Sequence, residues 1–207
     1  MKVIALRSPA SAREARLVDE MYKLRARVFG ERLAWNVAIR HGRETDEFDT
    51  LNPTYILAVT PASQVAGCAR LLPATGPTML SETFPQLLAG GKLASHPQMV
   101  ESSRFCVDTL LDGWAGGGPI RDATRAMFAG IIEWCIREGF TEIATATDVV
   151  LERILKRSGW PLERLGEPML IGKTLSVAGV LPTNQAVFER LRPHDYSSEF
   201  DFSCSAA

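Results

Sequence analysis

The chain has 207 residues, 46% of them hydrophobic and 23% charged, with a formal net charge of -1, which is the make-up of one compact soluble domain with a substantial core. So balanced a charge gives no general attraction to nucleic acid or to an anionic membrane, and no apolar run approaches the length of a membrane span. Arg7 interrupts the N-terminal apolar run too early for a secretory signal, Cys68, Cys106, Cys135 and Cys204 show no paired spacing, and His41, His96 and His194 are scattered, so reduced thiols, a cytoplasmic location and no zinc site are expected.

Residues 3–7 read as a first strand. Ser11 with Glu14 three residues on is a capping-box pattern. Leu17, Met21, Leu24 and Val28 then recur at four and three, predicting an amphipathic helix to about Phe29, with Gly30 as its stop. Residues 31–53 are irregular and charged, and Trp35 and Phe48 within them favour a functional loop over disorder. Two apolar runs, 54–60 and 65–72, split by Pro61-Ala62-Ser63-Gln64, predict a β-hairpin. Residues 81–88 read as a short helix ended by Gly90-Gly91.

Residues 99–107 set Glu101, Ser103 and Arg104 into an otherwise apolar strand. Charged groups in a central strand carry an energetic cost unless each finds a partner, so a structural ion pair and an active-site strand are both open readings. Strict alternation puts Glu101, Ser103 and Phe105 on one side and Ser102 and Arg104 on the other. Glu101 and Arg104 can then share a site only if the strand bulges or Arg104 braces it from behind.

A turn-rich stretch, 112–118, precedes Pro119 at the start of a long helix reaching Glu138, with Ala123, Met127, Gly130, Ile131 and Trp134 on its packed face. A strand at 141–147, a basic amphipathic helix at 148–158, strand-like pieces at 168–171 and 173–180, and a short helix at 183–191 follow. The polar tail after Pro193 is expected to fray. This order predicts a single-domain α/β three-layer sandwich with a mixed sheet, in which strands 99–107 and 141–147 form a parallel, right-handed βαβ unit.

Arg25 and Phe29 lie four apart and share a helix face. Trp35, Glu44, Asp46, Asp49 and Arg70 are further candidates, each with an ordinary explanation when taken singly. Loop acids are commonly turn-formers, Arg70 ends a hairpin strand as surface charges do, and Trp35 is a suitable hydrophobic anchor.

Together they resemble a family. Arg25-x-x-x-Phe29, Trp35, Glu44-x-Asp46-x-x-Asp49, Gly67-Cys68-x-Arg70-Leu71-Leu72-Pro73, Gly76-Pro77-x-Met79-Leu80, Phe84-Pro85-x-Leu87 and Glu101-x-Ser103-Arg104-Phe105 resemble the acyl-homoserine-lactone synthases (LuxI-type autoinducer synthases) in order and spacing. That resemblance implies a GNAT-like fold with a centrally splayed sheet. It also implies a reaction: an acyl group moves from acyl carrier protein, or from coenzyme A, to the amine of S-adenosylmethionine (SAM). The methionyl carboxylate then closes the homoserine lactone and expels methylthioadenosine. SAM is a substrate in that scheme, and no cofactor is implied.

The resemblance also implies roles. Phe29, Trp35 and Phe105 offer aromatic faces to the sulfonium. Glu101 is the candidate base for the ammonium proton, acting with Ser103 and Arg104, and Glu101→Gln is expected to spare folding while depressing acyl transfer. Asp46 and Asp49 orient the amine or hold the loop through arginines, and Arg25, Arg70 and Arg104 fork onto carboxylates, the substrate's own among the options. The tetrahedral oxyanion falls to a backbone amide at a bulge in the central strand. Met127, Ile131, Ile143, Thr145, Thr147, Val150 and Ile154 are candidate acyl-pocket walls, equally readable as plain core. Thr145 matches a position where relatives making 3-oxoacyl products carry Thr.

For the donor, Gly116-Gly117-Gly118 stands where GNAT enzymes cradle pyrophosphate, but Gly113 replaces the Gln or Arg of that loop. Arg153, Lys156 and Arg157, with Arg164 and Lys173 beyond, form a candidate docking face for acidic acyl carrier protein, or an ordinary solvated helix face. The competing readings are a GNAT-type acetyltransferase on another amine and a non-catalytic SAM-binding sensor.

Overall fold

The computed structural model describes residues 1–109 and 122–200. The turn at 112–118, Pro119 and Cys204 lie outside the described residues. Among those described, nine strands form one mixed sheet. Strand β1 (Lys2–Leu6) leads into helix α1 (Ala12–Arg25), capped by the Ser11 hydroxyl, which accepts from Glu14 N. Gly30 does not stop this helix. The chain loosens into a π-helical stretch, Ala26–Arg32, that carries Phe29 and ends with Leu33 N donating to Val28 O. Two-residue strands β2 (Ile39–Arg40) and β3 (Arg43–Glu44) form a small separate hairpin, and a 3-10 turn follows at Glu47–Leu51.

The predicted hairpin is present as β4 (Thr54–Val59) and β5 (Val65–Pro73). The predicted 81–88 helix is instead a single turn, α2 (Met79–Glu82), and a 3-10 turn at Pro85–Leu87, because Pro85 cannot continue a helix through residue 84. Strand β6 (Met99–Val107), helix α3 (Asp122–Arg137) and strand β7 (Glu142–Asp148) form the expected unit, with β6 and β7 parallel neighbours. Helix α4 (Val149–Ser158) starts under the Asp148 carboxylate and ends at Gly159, whose φ of 87° suits a residue without a Cβ. Then come β8 (Glu163–Arg164), β9 (Met169–Ile171), β10 (Thr174–Pro182), α5 (Gln185–Leu191) and β11 (Ser198–Glu199). The tail does not simply fray: β11 pairs in parallel with β1, and Phe200 is buried.

The sheet runs β11-β1-β4-β5-β6-β7-β10-β8, with β9 on β10. Helix α1 packs its Leu17, Met21 and Leu24 on Leu57 and Cys68 on one face, while Met127, Phe128, Ile131 and Leu155 of α3 and α4 cover the other. Gly67 permits this close approach on the second face, since a Cβ there would stand 3.0 Å from Met127 Cγ and 3.3 Å from the Cys106 carbonyl. Cys68 and Cys106 are partners across β5 and β6, Sγ to Sγ 3.4 Å. Their 38-residue separation concealed this proximity.

Two irregularities in β6 shape everything that follows. Its pairing with β7 covers only Met99 to Glu101 against Glu142 to Ala144; β7 continues against β10 while β6 continues against β5, so the sheet splays at its centre. Against β5, Arg70 pairs with Ser103 and Cys68 with Cys106. Two residues, Arg104 and Phe105, therefore oppose Ala69 alone. Arg104 is the bulge, at φ 53° in the left-handed region where non-glycine residues are strained.

Candidate active site

Of the two ways the sequence left for Arg104 to join Glu101, a bulge or a brace from behind, the strand takes the bulge. One extra residue shifts the phase of every side chain beyond it. Glu101 and Ser103 face the α1 side, and the bulge swings Arg104 onto that side as well. Phe105 goes to the opposite face, where it stacks on Phe128 with centroids 5.3 Å apart. It is not brought to Phe29 and Trp35, the other aromatic faces that the resemblance implies for the sulfonium.

On the α1 side, three arginines and three carboxylates interlock. Arg25 comes from the last turn of α1, Glu44 from β3, Asp46 and Asp49 from the 3-10 turn, Arg70 from β5 and Arg104 from β6. Arg25 Nε donates to Glu44 Oε2 at 2.5 Å, and its Nη1 and Nη2 fork onto Asp49 at 2.8 and 3.0 Å. Arg70 forks onto Asp46, reaches Asp49 Oδ1 at 2.9 Å and donates through Nε to Ser103 Oγ at 3.1 Å. Arg104 Nε donates to Glu44 Oε1 at 3.1 Å, and Nη2 lies 2.8 Å from Asp46 Oδ2. The charges balance, three against three. Bidentate geometry and full pairing offset the desolvation penalty that makes isolated buried charges prohibitive.

The local structure is built for this. Asp46 is the N-cap of the 3-10 turn, its carbonyl accepting from Asp49 N at 3.2 Å, and the Asp49 carboxylate accepts in return from Asp46 N at 2.9 Å. Arg25 and Arg70 are fully buried. Burial opposes ionisation of Asp49, yet the hydrogen bonds and charge of Arg25, with the charge of Arg70, outweigh it and hold the carboxyl below the ordinary range. The Tyr55 hydroxyl donates to Asp49 Oδ1 at 2.8 Å and lies 3.1 Å from that of Tyr22. Glu44 and Tyr55 are the members that single-residue reasoning undervalued. Tyr55 is the cross-strand partner of Arg70, a signal visible once the hairpin register is drawn.

Arg25 and Arg70 spend their guanidinium nitrogens on protein oxygens. Arg104 differs: its side chain is 12% exposed, and among the described residues Nη1 meets only the weakly accepting Met79 Sδ, at 3.0 Å. Its guanidinium lies 5.7 Å from the Phe29 ring centre. Phe29 is in turn stacked on Trp35 at 5.2 Å and 8° between planes, with Trp35 half-buried. Cation, aromatic shelf and open edge therefore meet at one corner.

Glu101 stands at the base of this corner with 1% of its surface exposed. Its carboxylate accepts from Met79 N at 3.2 Å and Leu80 N at 2.5 Å, the first two residues of α2. Burial raises its pKa above the ordinary carboxylate value, against the opposing pull of those N–H groups and of Arg70 and Arg104.

Across the sheet, the splay opens into a cleft lined by Phe105, Ile131, Ile143, Thr145, Thr147, Leu151 and Leu155 among others. Four of the predicted wall residues line it: Ile131, Ile143, Thr145 and Thr147. Met127 does not, being buried in the core beneath Gly67. Val150 does not either: it follows the Asp148 cap on the outward side of α4 and is exposed, leaving Leu151 and Leu155 to face the cleft. Ile154 packs beside them as partly buried core. The Thr145 hydroxyl donates to the Ser102 carbonyl at 2.8 Å and so bridges the splay.

Arg153, Lys156 and Arg157 are exposed on α4, and they and Lys173 form no ion pair among the described residues. Arg164 is bound by Glu152 at 2.6 and 2.8 Å and is less available than its sequence position suggested. No helix among the described residues is long and apolar enough to cross a membrane.

A family model for autoinducer synthases matches residues 10–191. A probable acyl-homoserine-lactone synthase of Sinorhizobium fredii is 54% identical over 199 residues, covering 96% of each chain. The crystal structure of the AHL synthase LasI superposes with a TM-score of 0.78 at 32% identity over 92% of both chains. BjaI, a CoA-dependent acyl-homoserine lactone synthase solved with SAM and isopentyl-CoA, gives a TM-score of 0.81 over 96% of this chain and 93% of that one. At 22% identity that likeness bears on the fold alone. The expected GNAT-like sandwich stands, and the chain belongs to the autoinducer synthase family.

Proposed function

We propose that this chain makes an N-acyl-L-homoserine lactone signal in the cytoplasm, taking its acyl group from acyl carrier protein and its lactone from SAM, with no cofactor. The observation that carries the reading is the juxtaposition at β6. A balanced ionic cluster with one open arginine edge and an aromatic shelf lies on one face of the strand, and an apolar cleft lies on the other, where the sheet splays. A polar substrate and an acyl chain can meet there with the reacting carbon at the bulge.

In this scheme Trp35 and Phe29 hold the sulfonium, a cation best matched by aromatic faces. Arg104, through Nη1, takes the methionyl carboxylate. Arg25, Arg70, Glu44, Asp46 and Asp49 keep Arg104 and the loop in place, and Ser103 fixes Arg70. Glu101, whose burial strengthens it as a base, takes the ammonium proton directly or through water, and the neutral amine attacks the thioester carbon. A backbone amide of the Arg104 bulge meets the oxyanion, the thiolate leaves with the proton that Glu101 returns, the nitrogen's second proton passes to Glu101 and on to water, and carboxylate attack next to the sulfonium expels methylthioadenosine. Phe105, Ile131, Ile143, Thr145 and Thr147 wall the acyl chain. Arg153, Lys156 and Arg157 receive the acidic carrier protein.

Extracting the medium of a bacterium expressing the chain and identifying lactones by mass spectrometry tests the reading, and absence of lactone under any acyl supply would point to a SAM-binding sensor. Trp35→Ala is expected to raise the KM for SAM about tenfold, matching the roughly 1–2 kcal/mol of a desolvated cation–aromatic contact, while leaving the donor KM unchanged. A larger change for the donor would refute the assigned corner.

A further inference from the structure

The outer end of β9, β10 and α4 carries an apolar surface that neither the cluster nor the cleft uses. Leu170 and Leu175 are cross-strand partners in the β9–β10 hairpin and are 68% and 43% exposed. Ser176, next to Leu175, pairs with Asp148, the cap of α4, and Val150 in the first turn of that helix is 59% exposed. Val177 faces with its partner Thr147 toward the cleft side of the sheet, and period two puts Leu175 and Leu170 on that same side. Strand edges and short exposed hairpins are ordinarily blunted with charge. Here exposed aliphatic side chains stand on neighbouring elements instead.

We infer that Val150, Leu170 and Leu175 form the apolar ledge on which a helix of acyl carrier protein docks, an inference that rests on the proposed donor. Two observations favour this occupant over a second copy of the chain. The ledge is rimmed by cations, Lys173 in the hairpin turn and Arg153, Lys156 and Arg157 on α4, which form no ion pair among the described residues. A self-complementary interface would press like charges together, whereas an acidic helix with an apolar stripe satisfies rim and ledge at once. The ledge also adjoins the cleft, since Thr147 just before α4 and Leu151 within it line the cleft wall. A carrier seated there holds its thioester arm at the open end of the splay.

The test uses the full chain with three donors: acyl carrier protein, acyl-CoA and an acyl-pantetheine that lacks the protein. The double variant Leu170→Ser with Leu175→Ser, and separately Lys173→Glu, should each raise the KM for acyl carrier protein about tenfold or more. Neither should alter the KM for SAM or turnover of acyl-pantetheine. If the wild type turns over acyl-CoA but not acyl carrier protein, the donor reading fails and the occupant fails with it. If the wild type uses acyl carrier protein and both variants keep its KM, the donor reading stands and the ledge is overturned. Equal loss with the protein-free donor in both variants also overturns it. Sedimentation showing a dimer that the double variant dissolves would assign the ledge to a second copy.

Discussion

Arg70→Met is expected to destabilise the fold by about 3–5 kcal/mol, the penalty for breaking a buried charge network by deleting one member, and to abolish lactone formation. At this chain length that corresponds to a fall in Tm of roughly 6–20 °C. Arg70 is fully buried, forks onto Asp46, reaches Asp49 and anchors Ser103. Methionine fills much of its volume but leaves three carboxylates facing two guanidiniums. Lysine would restore the charge without the fork and should recover only part of the loss. The deficit should also depend on pH with a defined sign. Arg25 and Arg70 hold Asp49 below the ordinary carboxylate range despite its burial. The stability this contributes is present above the unfolded value of about 3.9 and is lost as pH falls toward the folded value. The gap between wild type and variant should therefore be full at pH 7 and narrow below about pH 4. Thermal unfolding followed by circular dichroism at both pH values checks this; an unchanged Tm at pH 7 would overturn the assignment of a stabilising role to Arg70 in the cluster.

That cluster also marks how far local pattern could reach. The β4–β5 hairpin was legible because its apolar runs and turn are contiguous, and Arg25 and Phe29 because helical spacing fixes their common face. The partners of Arg25 lie 19 and 24 residues away, in a hairpin and a 3-10 turn with no strong periodicity, so residues 31–53 read as loop although they supply all three carboxylates. The bulge at Arg104 was legible only as one of two ways to bring Arg104 to Glu101, and no local pattern chose between them. It is imposed by register with β5, at a residue type that ordinarily avoids positive φ, and it alone decides that Arg104 joins Glu101 while Phe105 leaves. Tertiary pairing likewise captured the tail: β11 is two residues long and exists only against β1. Val150 was misplaced for a smaller reason, since a helix face is fixed only when the packing of its first turn is known. The family resemblance supplied the members of the site, and the register supplied their arrangement.

Glu101→Gln should lower acyl transfer at pH 7 by about 10²–10⁴-fold, the range associated with a positioned general base. The structure alters the companion expectation that folding is spared. Both carboxylate oxygens receive backbone N–H donors, from Met79 and Leu80. A glutamine has one acceptor oxygen for them and turns an NH2 group toward the other donor, a mismatch worth about 1–3 kcal/mol. Since α2 carries Met79, whose Sδ touches Arg104 Nη1, loosening that turn disturbs the proposed substrate edge too. Rate loss alone therefore cannot separate a base from an anchor, and the pH profile can. An α-amine has an ordinary pKa of about 7.7–8.0 and is largely neutral without assistance near pH 9. If Glu101 removes the proton, the variant's deficit in kcat should shrink severalfold or more between pH 7 and 9, while its lowered Tm stays lowered. If Glu101 serves only to hold α2, the deficit should be the same at both pH values, and the base must be sought among the other groups at the open corner.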